Sequence, residues 1–342
     1  SLQMDVRIKL FARNGTKLTE PRQIGEFSSH ASSSITCDRS NLRQLKKIDK
    51  KICTKFDLDA GFGTWIPKEG DNYLNDLREL QLWAAGVGSC STAKEVFDGA
   101  DLVCVRGSLT SIATTPYNDD KGWRMVAMKV GEVIYLHDCA VRDGSRFASA
   151  SCARLAHCMY WGFKFEQYMT TDAENNSDVS SPIDCRETYH AVLRTDLVRR
   201  GRDEPLRLVY TAEMDAVDQT GDRFVELKTM GEKMDEKFWQ HKAYKWWIQS
   251  TLSGINRIVV GHRNPSGTVV KLRNVDTKTL SSNRMTDVMM TFLSTVLSEI
   301  ERKLEKGGSL QIRYDPSEKK VHFENARDQE TNILIDEFQK LL

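Results

Sequence analysis

The sequence predicts an α+β fold: a single domain of mixed, twisted β-sheets flanked by helices. Strand-like runs, in which polar and apolar residues alternate, are concentrated between residues 189 and 274 and recur between residues 309 and 324. Longer amphipathic runs, which are typical of helices, lie among them and include residues 284–304. The 342 residues contain no clear linker and no internal repeat, so we expect one hydrophobic core.

The elements can be assigned in chain order. Residues 1–20 are expected to form an irregular N-terminal segment, with residues 1–3, ahead of Met4, as a candidate expression-vector remnant, and residues 21–342 to form the folded domain. The first 55 residues show little periodicity. Helices are predicted at about 71–85, 146–161, 232–252, 284–304 and 328–342. Strands are predicted at about 101–107, 123–137, 189–197, 206–217, 224–228, 255–262, 268–274, 309–314 and 320–324, and residues 170–184 as a mobile polar loop.

Composition limits the classes of function. The net charge is only +1, so RNA binding would need a local basic groove rather than an overall positive field. Basic residues that could line such a groove, or equally well form a solvated surface, are Arg194, Arg199, Arg200, Arg202, Lys242, Lys245, Arg257 and Arg263. No apolar run is long enough to span a bilayer, and none of the eight cysteines forms a Cys-x-x-Cys pair. We therefore expect no membrane partner, and free thiols in a reducing compartment.

The residues that carry chemistry lie in two strand-like runs joined by a turn. Alternation over residues 206–217 places Glu213 and Asp215 on one face, backed by an apolar face. In the next run Glu226 and Lys228 share a face, and residues 218–222 between the runs have the composition of a turn. A hairpin would therefore set the two acidic faces side by side.

This spacing, an Asp separated by ten residues from Glu-x-Lys, resembles the large superfamily of nucleases that cut phosphodiesters with divalent metal. Carboxylates crowded on one face repel each other and are costly to bury unless a cation lies between them. Mg²⁺ or Mn²⁺ takes oxygen ligands and leaves positions for water and substrate phosphate. The alternative is an exposed acidic strand with a surface ion pair, which would contribute little to stability.

Further motifs occur in a fixed order around these strands. In chain order the set is Gln23-Ile24-Gly25-Glu26-Phe27-Ser28, Arg106-Gly107, Gly162-x-x-x-Glu166, Glu213-x-Asp215, Glu226-x-Lys228 and Lys245-Trp246-Trp247-Ile248-Gln249. Each motif alone is weak, but the ordered set resembles the DXO (Dom3Z) family of RNA decapping and 5′-end quality-control exoribonucleases. The resemblance runs from about residue 20 to near the C-terminus. It implies a fold related to the PD-(D/E)XK metal nuclease superfamily.

The resemblance also assigns roles to individual residues. The acidic side chains that it matches to metal ligands are Glu166, Glu213, Asp215 and Glu226. The main-chain carbonyl of Leu227 matches a further oxygen ligand, and Lys228 matches the lysine that contacts the scissile phosphate or the attacking water. Arg106 and Gln249 match residues near the RNA 5′ end. None of these positions departs from the family pattern, so the resemblance implies a catalytically competent member.

The activities that the resemblance implies act on RNA 5′ ends with two Mg²⁺ or Mn²⁺ ions, one activating water and the other stabilising the leaving oxygen. They are pyrophosphate release from 5′-triphosphate RNA, removal of incomplete or unmethylated caps, removal of NAD caps and 5′-to-3′ degradation. A nuclear 5′-to-3′ exoribonuclease is the implied protein partner. We expect nuclear rather than cytoplasmic location.

Two other functions stay open at this point. One is a DNA nuclease of the same superfamily, and the other is a non-catalytic RNA-binding protein that stabilises a nuclear exoribonuclease. The aromatic pair Trp246 and Trp247 is interpreted as core and rim packing in preference to a platform for bases, since aromatic residues on amphipathic helices usually bury area.

Overall fold

The computed structural model describes residues 2–5, 15–47, 56–67, 77–87, 92–139, 150–231, 233–327 and 333–342. Its strands form one large and one small sheet, both of which mix parallel and antiparallel pairs. Helices pack on these sheets, so the predicted α+β class with mixed sheets and flanking helices is confirmed. Among the described residues, no helix combines the length and apolar character that crossing a bilayer requires.

The elements have the following bounds. The strands are β1 (Leu2–Asp5), β2 (Lys17–Leu18), β3 (Arg22–Ser29), β4 (Ile35–Thr36), β5 (Gln44–Leu45), β6 (Leu102–Val105), β7 (Trp123–Val130), β8 (Val133–Asp138), β9 (Thr170–Thr171), β10 (Thr188–Val198), β11 (Leu206–Glu213), β12 (Ala216–Val217), β13 (Phe224–Met230), β14 (Arg257–Arg263), β15 (Val269–Asp276), β16 (Gly308–Asp315) and β17 (Lys320–Asn325). The helices are α1 (Arg78–Gly86), α2 (Ala93–Val96), α3 (Arg106–Thr114), α4 (Ala150–Met169), α5 (Glu236–His241), α6 (Ala243–Leu252), α7 (Asn283–Lys303) and α8 (Asp336–Gln339). Short 3₁₀ helices lie at Phe62–Thr64, Thr115–Tyr117 and Thr277–Leu280.

The large sheet has the strand order β1-β17-β16-β7-β8-β6-β11-β10-β3-β4, with β2 beside β10. Its centre matters for function because β6 and β11 run parallel, with Val105 opposite Thr211. The residues just beyond this pair, Arg106 and Glu213, therefore emerge at the same edge of the sheet. On the other side of β11, His190 of β10 lies opposite Glu213.

The small sheet has the order β15-β14-β13-β12-β5-β9. Its strands β13 and β14 are parallel, with Glu226 opposite Ile258, whereas β12 and β13 are antiparallel, with Ala216 opposite Val225. The chain leaves the large sheet after Glu213 and enters the small sheet at Ala216. Residues 214–215 are thus the crossing between the two sheets.

The helices pack on the sheets through the apolar faces of the helices. The clearest case is α7, where Met289, Leu293, Val296 and Ile300 are all fully buried at helical spacing. Ser282 starts this helix, since its side chain accepts a hydrogen bond from the Met285 N–H. Helix α3 packs against α6 and α7, and α4 packs on β13. The helix α4 therefore reaches the strand that carries Glu226.

The structure differs from the sequence-based expectation in several places. Residues 1–20, expected to be irregular, include the strands β1 and β2, and the first 55 residues also contain β3, β4 and β5. The predicted strand at 101–107 ends at Val105, and a helix that periodicity did not indicate begins at Arg106. The final helix spans only Asp336–Gln339, while residues 328–332 of its expected range lie outside the described residues.

Three predicted helices have different ends or a break. Helix α1 begins at Arg78 and not near residue 71, although residues 71–76 lie outside the described part of the chain. The helix expected at 232–252 is interrupted at Lys242, whose φ of −128° is not helical. Helix α4 is longer than expected and runs to Met169, so that Glu166 lies on a helix and not beyond it.

The approach of α4 to the small sheet depends on a glycine in β14. A Cβ built on Gly261 would lie 2.6 Å from the nearest ring atom of Phe165, the residue before Glu166. We predict that Gly261→Ala lowers the free energy of unfolding by about 1–3 kcal/mol, because an overpacked contact forces the ring or the helix to shift. Urea denaturation measures this change.

The matched control for this prediction is Gly231→Ala. A Cβ on Gly231 meets no atom within 4 Å, so its effect should stay within about 0.5 kcal/mol. If Gly261→Ala unfolded at the same urea concentration as the control, Phe165 would not be fixed against the strand as described.

Candidate active site

The predicted site residues converge where the two sheets meet. A cavity of about 680 Å³ opens at this edge, and Arg106, Glu213 and Gln249 all line it. Arg106 comes from the start of α3, Glu213 from the end of β11 and Gln249 from α6. Three elements that are distant in sequence thus supply side chains to one cavity.

Asp215 is positioned by the crossing between the sheets. The register of β12 with β13 pairs Ala216 with Val225, and continuing it by one residue sets Asp215 opposite Glu226. The Asp215 Oδ2 accepts a hydrogen bond of 2.7 Å from the Leu227 N–H. This bond holds the carboxylate against β13. The predicted long hairpin is wrong in this respect, since Glu213 ends a strand of the large sheet, Asp215 lies in the crossing, and of this first run Ala216 and Val217 are the residues that pair with β13.

Glu226 lies at the centre of the site and is only 2 % exposed. Its Oε1 forms an ion pair with Lys228 Nζ, as the alternation along β13 predicted, and its Oε2 lies 3.9 Å from Arg106 Nη1. Burial opposes the ionisation of Glu226, but the charges of Lys228 and Arg106 outweigh it and keep the pKa of this carboxyl below its usual value. Glu226 is therefore a buried carboxylate that stays charged.

Arg106 is held in place from behind. Its Nη1 donates a hydrogen bond of 2.7 Å to the Ser253 Oγ, at the residue that ends α6. Because α3 packs on α6, this bond fixes a cationic group of the cavity lining beside Glu226. Ser253 was not singled out in the sequence, where nothing distinguishes it from other serines that follow a helix.

Two of the other three carboxyl groups are crowded by negative charge. Burial, reinforced by the charges of Asp215 and Glu213, raises the pKa of Glu166 well above its usual range. Burial, together with the charge of Glu226, raises the pKa of Asp215 to about 7. Burial and crowding therefore favour the protonated form of both groups, which is the expected response of carboxyl groups that share a confined site.

For Lys228, in contrast, the surroundings favour the charged form. Burial favours its neutral form, but the charges of Glu226 and Asp215 outweigh this effect and raise the pKa of the ammonium group. Lys228 is therefore cationic throughout the physiological range and stands beside the central carboxylate.

These residues fit a hard divalent cation. Within the described part of the chain, the buried Glu226 Oε2 has no hydrogen-bond partner, although a buried carboxylate oxygen normally has one. The raised pKa values of Glu166 and Asp215 show that the local positive charge is insufficient for four carboxylates. A cation with oxygen preference would relieve both deficits.

The four carboxylates are nevertheless not drawn tightly together. Among the described residues, the group of three whose ligand atoms all lie within 4.8 Å of one another is Asp315, Glu318 and His322, in the hairpin of β16 and β17. The carboxylates at the sheet junction are spaced more widely, as mutual repulsion requires.

The structure thus brings together the side chains of Glu166, Glu213, Asp215, Glu226, Lys228, Arg106 and Gln249, in part through contacts and in part through a shared cavity. Leu227 meets the site through its N–H, while the ligand role of its carbonyl stays a prediction. Trp246 is buried and packs edge-on against Phe238 at 5.0 Å, which agrees with the packing interpretation.

Comparison with known proteins gives a consistent result. A family model described as RAI1-like PD-(D/E)XK nuclease matches residues 19–339. The chain is 34 % identical over 290 residues to the decapping nuclease dom-3 of Caenorhabditis elegans, covering 82 % of this chain and 72 % of that protein. It is 33 % identical over 211 residues to the decapping and exoribonuclease protein of Mus musculus, and there the match spans 56 % of this chain and 52 % of the relative.

Solved structures share the fold. Rai1 of Candida albicans, crystallised in complex with pU5 and Mn²⁺, superposes with a TM-score of 0.81 at 18 % identity, covering 100 % of this chain and 99 % of that one. Dxo1 of K. lactis, in complex with manganese, gives a TM-score of 0.62 at 13 % identity, covering 95 % of each chain. At these identities the likeness concerns the fold.

The raised pKa values make metal binding and stability depend on pH. A carboxyl group whose pKa is higher in the folded than in the unfolded protein stabilises the fold at low pH, and this contribution is lost as the pH rises through the folded value. For Asp215 the window runs from the usual pKa of about 4 to about 7. We predict that the melting temperature of the metal-free protein falls across this window. Mn²⁺ should raise the melting temperature more at pH 8 than at pH 5.5, because bound metal requires deprotonated ligands.

The variant Asp215→Asn tests the source of this dependence. An amide keeps an oxygen that can accept from the Leu227 N–H but cannot ionise. The metal-free variant should therefore be more stable than the wild type at pH 8 and should lose most of the Mn²⁺ effect. Equal melting temperatures of the two proteins at pH 8 would contradict the assigned charge crowding.

Proposed function

Because the chain belongs to the RAI1-like PD-(D/E)XK nuclease family, we propose that it is a divalent-metal-dependent hydrolase of RNA 5′ ends. The observation that carries this proposal is the charged, buried Glu226, flanked by Lys228 and by Arg106, which lines the cavity. Relatives named decapping nuclease and decapping and exoribonuclease protein, and neighbours crystallised with manganese, support a metal-dependent RNA hydrolase.

We assign the metal site to the carboxylates at the sheet junction. The residues proposed to hold the ions are Glu166, Glu213, Asp215, Glu226 and, through its main-chain carbonyl, Leu227. Bound Mg²⁺ or Mn²⁺, two ions in this proposal, supplies a water of lowered pKa and positive charge for phosphoryl oxygens. The crowded carboxyl groups and the unpartnered Glu226 oxygen support this assignment.

The cationic side chains bind and orient the phosphate. Lys228, kept charged by Glu226 and Asp215, is placed to stabilise negative charge that develops on a phosphoryl oxygen or to orient the attacking water. Arg106, anchored by Ser253, presents its guanidinium beside the same carboxylate and suits a terminal phosphate, which it can bind through two parallel hydrogen bonds. Gln249, in the cavity wall, supplies an amide for a further hydrogen bond.

The substrates follow from the family. They are RNAs with a 5′-triphosphate, an incomplete or unmethylated cap, or an NAD cap, with subsequent 5′-to-3′ degradation. The pU5 ligand of the Candida albicans neighbour supports binding of an RNA 5′ end in this fold. We further propose nuclear action, alongside a 5′-to-3′ exoribonuclease.

The decisive test compares wild type with two variants on three RNAs that carry a 5′-triphosphate, an unmethylated cap or an NAD cap, in Mn²⁺. Glu226→Gln and Lys228→Met should each lower the rate of product formation by about 100-fold or more, because each removes a charge that acts on the reacting phosphate. Glu132→Gln is the matched control, since this carboxylate lies at an exposed turn and pairs only with Lys94 at 3.4 Å.

The outcomes separate the competing functions. Full activity of Glu226→Gln would remove the site assignment. Binding of RNA without turnover by the wild type would favour a non-catalytic RNA-binding protein. Faster degradation of single-stranded DNA of the same sequence than of RNA would favour a DNA nuclease.

A further inference from the structure

One side of the cavity is apolar and aromatic. Trp65 and Phe163, called here the aromatic wall, both line the cavity, with ring centroids 6.2 Å apart. Ile66, Pro67 and Met159 extend the same apolar side. The roles assigned above to carboxylates and cations use none of these side chains. A phosphate makes no favourable contact with such side chains, whereas a planar heterocycle can stack on them.

The aromatic wall is held rigidly. The Ile66 N–H donates to the Ile183 carbonyl at 2.8 Å, and the Cys185 N–H donates to the Ile66 carbonyl at 2.9 Å. These two bonds clamp the backbone next to Trp65. The Trp65 ring is also supported by Tyr160, which meets it edge-on with centroids 5.7 Å apart. A supported ring needs little ordering when a ligand binds, so it suits stacking.

The aromatic wall lies next to the proposed metal ligands. Phe163 and Glu166 are three residues apart on α4, so they lie on one face of the helix and about 4.5 Å apart along its axis. Met159 precedes Phe163 by four residues and continues the same face. A phosphate at the carboxylates and a ring at the aromatic wall can therefore belong to one nucleotide.

The cavity lining also contains charged and polar groups, but their charges are matched. Arg186 makes two hydrogen bonds to Asp184, at 2.8 and 2.6 Å, and the His30 ring lies 3.0 Å from Glu187. Arg78 donates a hydrogen bond to the Ser33 carbonyl at 2.8 Å, and it lines the same cavity as Glu79. Because these charges are balanced, a neutral base suits the space beside the aromatic wall better than another phosphate does.

Resting on the proposed function, we infer that Trp65, with Phe163, is the stacking site for the 5′-terminal nucleobase of the RNA. Stacking on an aromatic side chain contributes about 1–3 kcal/mol per base and tolerates every base, because each base has a π-face. Trp65 is thus a residue that selects for a terminal nucleotide carrying a base and is indifferent to which base it carries.

A cycle of protein and substrate changes tests this inference. The substrates are 5′-monophosphorylated oligoribonucleotides that are intact, abasic at the first nucleotide or abasic at the second. The proteins are wild type, Trp65→Ala, Trp65→Phe, which keeps a ring, and Trp239→Ala, which removes an exposed tryptophan outside the cavity lining. The rate with subsaturating RNA in Mn²⁺ is measured for each pair, and affinity is measured by fluorescence anisotropy with Ca²⁺ in place of Mn²⁺.

We expect the first abasic site to weaken wild-type turnover and binding by about 10-fold. Trp65→Ala should cause a similar loss on intact RNA and no additional loss on the abasic RNA, because both changes remove the same contact. Trp65→Phe should keep most of the effect of the base, and Trp239→Ala should match the wild type.

Other patterns overturn the inference. If the loss caused by Trp65→Ala and the loss caused by the first abasic site multiplied, Trp65 and the first base would act independently. If removal of the second base weakened turnover and binding and removal of the first base did not, the stacking site would belong to the second nucleotide and not to the terminal one. If the wild type turns over none of the RNAs, the proposed function fails, and the anisotropy cycle still decides on stacking. The wild-type comparison of intact and abasic RNA needs no variant, so misfolding of Trp65→Ala cannot obscure it.

Discussion

The structure depends on the concentration of negative charge where the two sheets meet. Four carboxyl groups approach each other in a largely buried region, and Lys228 and Arg106 are the described residues that supply positive charge beside the central one. The result is unequal, since the pKa of Glu226 is lowered whereas the pKa values of Glu166 and Asp215 are raised. Such a site is unfavourable for stability alone and is made favourable by a divalent cation.

The fold creates this concentration through strand connectivity. Parallel pairing of β6 with β11 brings Arg106 and Glu213 to one edge, and the crossing at residues 214–215 carries Asp215 into the second sheet beside Glu226. Helix α4 then adds Glu166 from outside and, one turn earlier, Phe163 from the aromatic wall. Phosphate chemistry and base recognition are thus supported by neighbouring turns of one helix.

Part of this arrangement could be predicted because it follows from local periodicity. The two-residue repeat of a strand puts Glu226 and Lys228 on one face, and the structure shows them paired. The break after Glu213 could not be predicted in this way, since alternation continues through Asp215 although the chain changes sheets. Helix α3 was missed because its nine residues follow directly on a buried strand. Trp65 gave no signal, as its contacts with Tyr160 and Phe163 are with residues about a hundred positions away.

The most direct test of the charge-concentration account is anomalous diffraction at the manganese edge, from crystals of the protein grown with Mn²⁺ and a 5′-phosphorylated oligoribonucleotide. The account predicts an anomalous peak among Glu166, Asp215 and Glu226, next to a phosphate of the RNA. A peak confined to Asp315, Glu318 and His322, or bound RNA without any peak at the sheet junction, would contradict it.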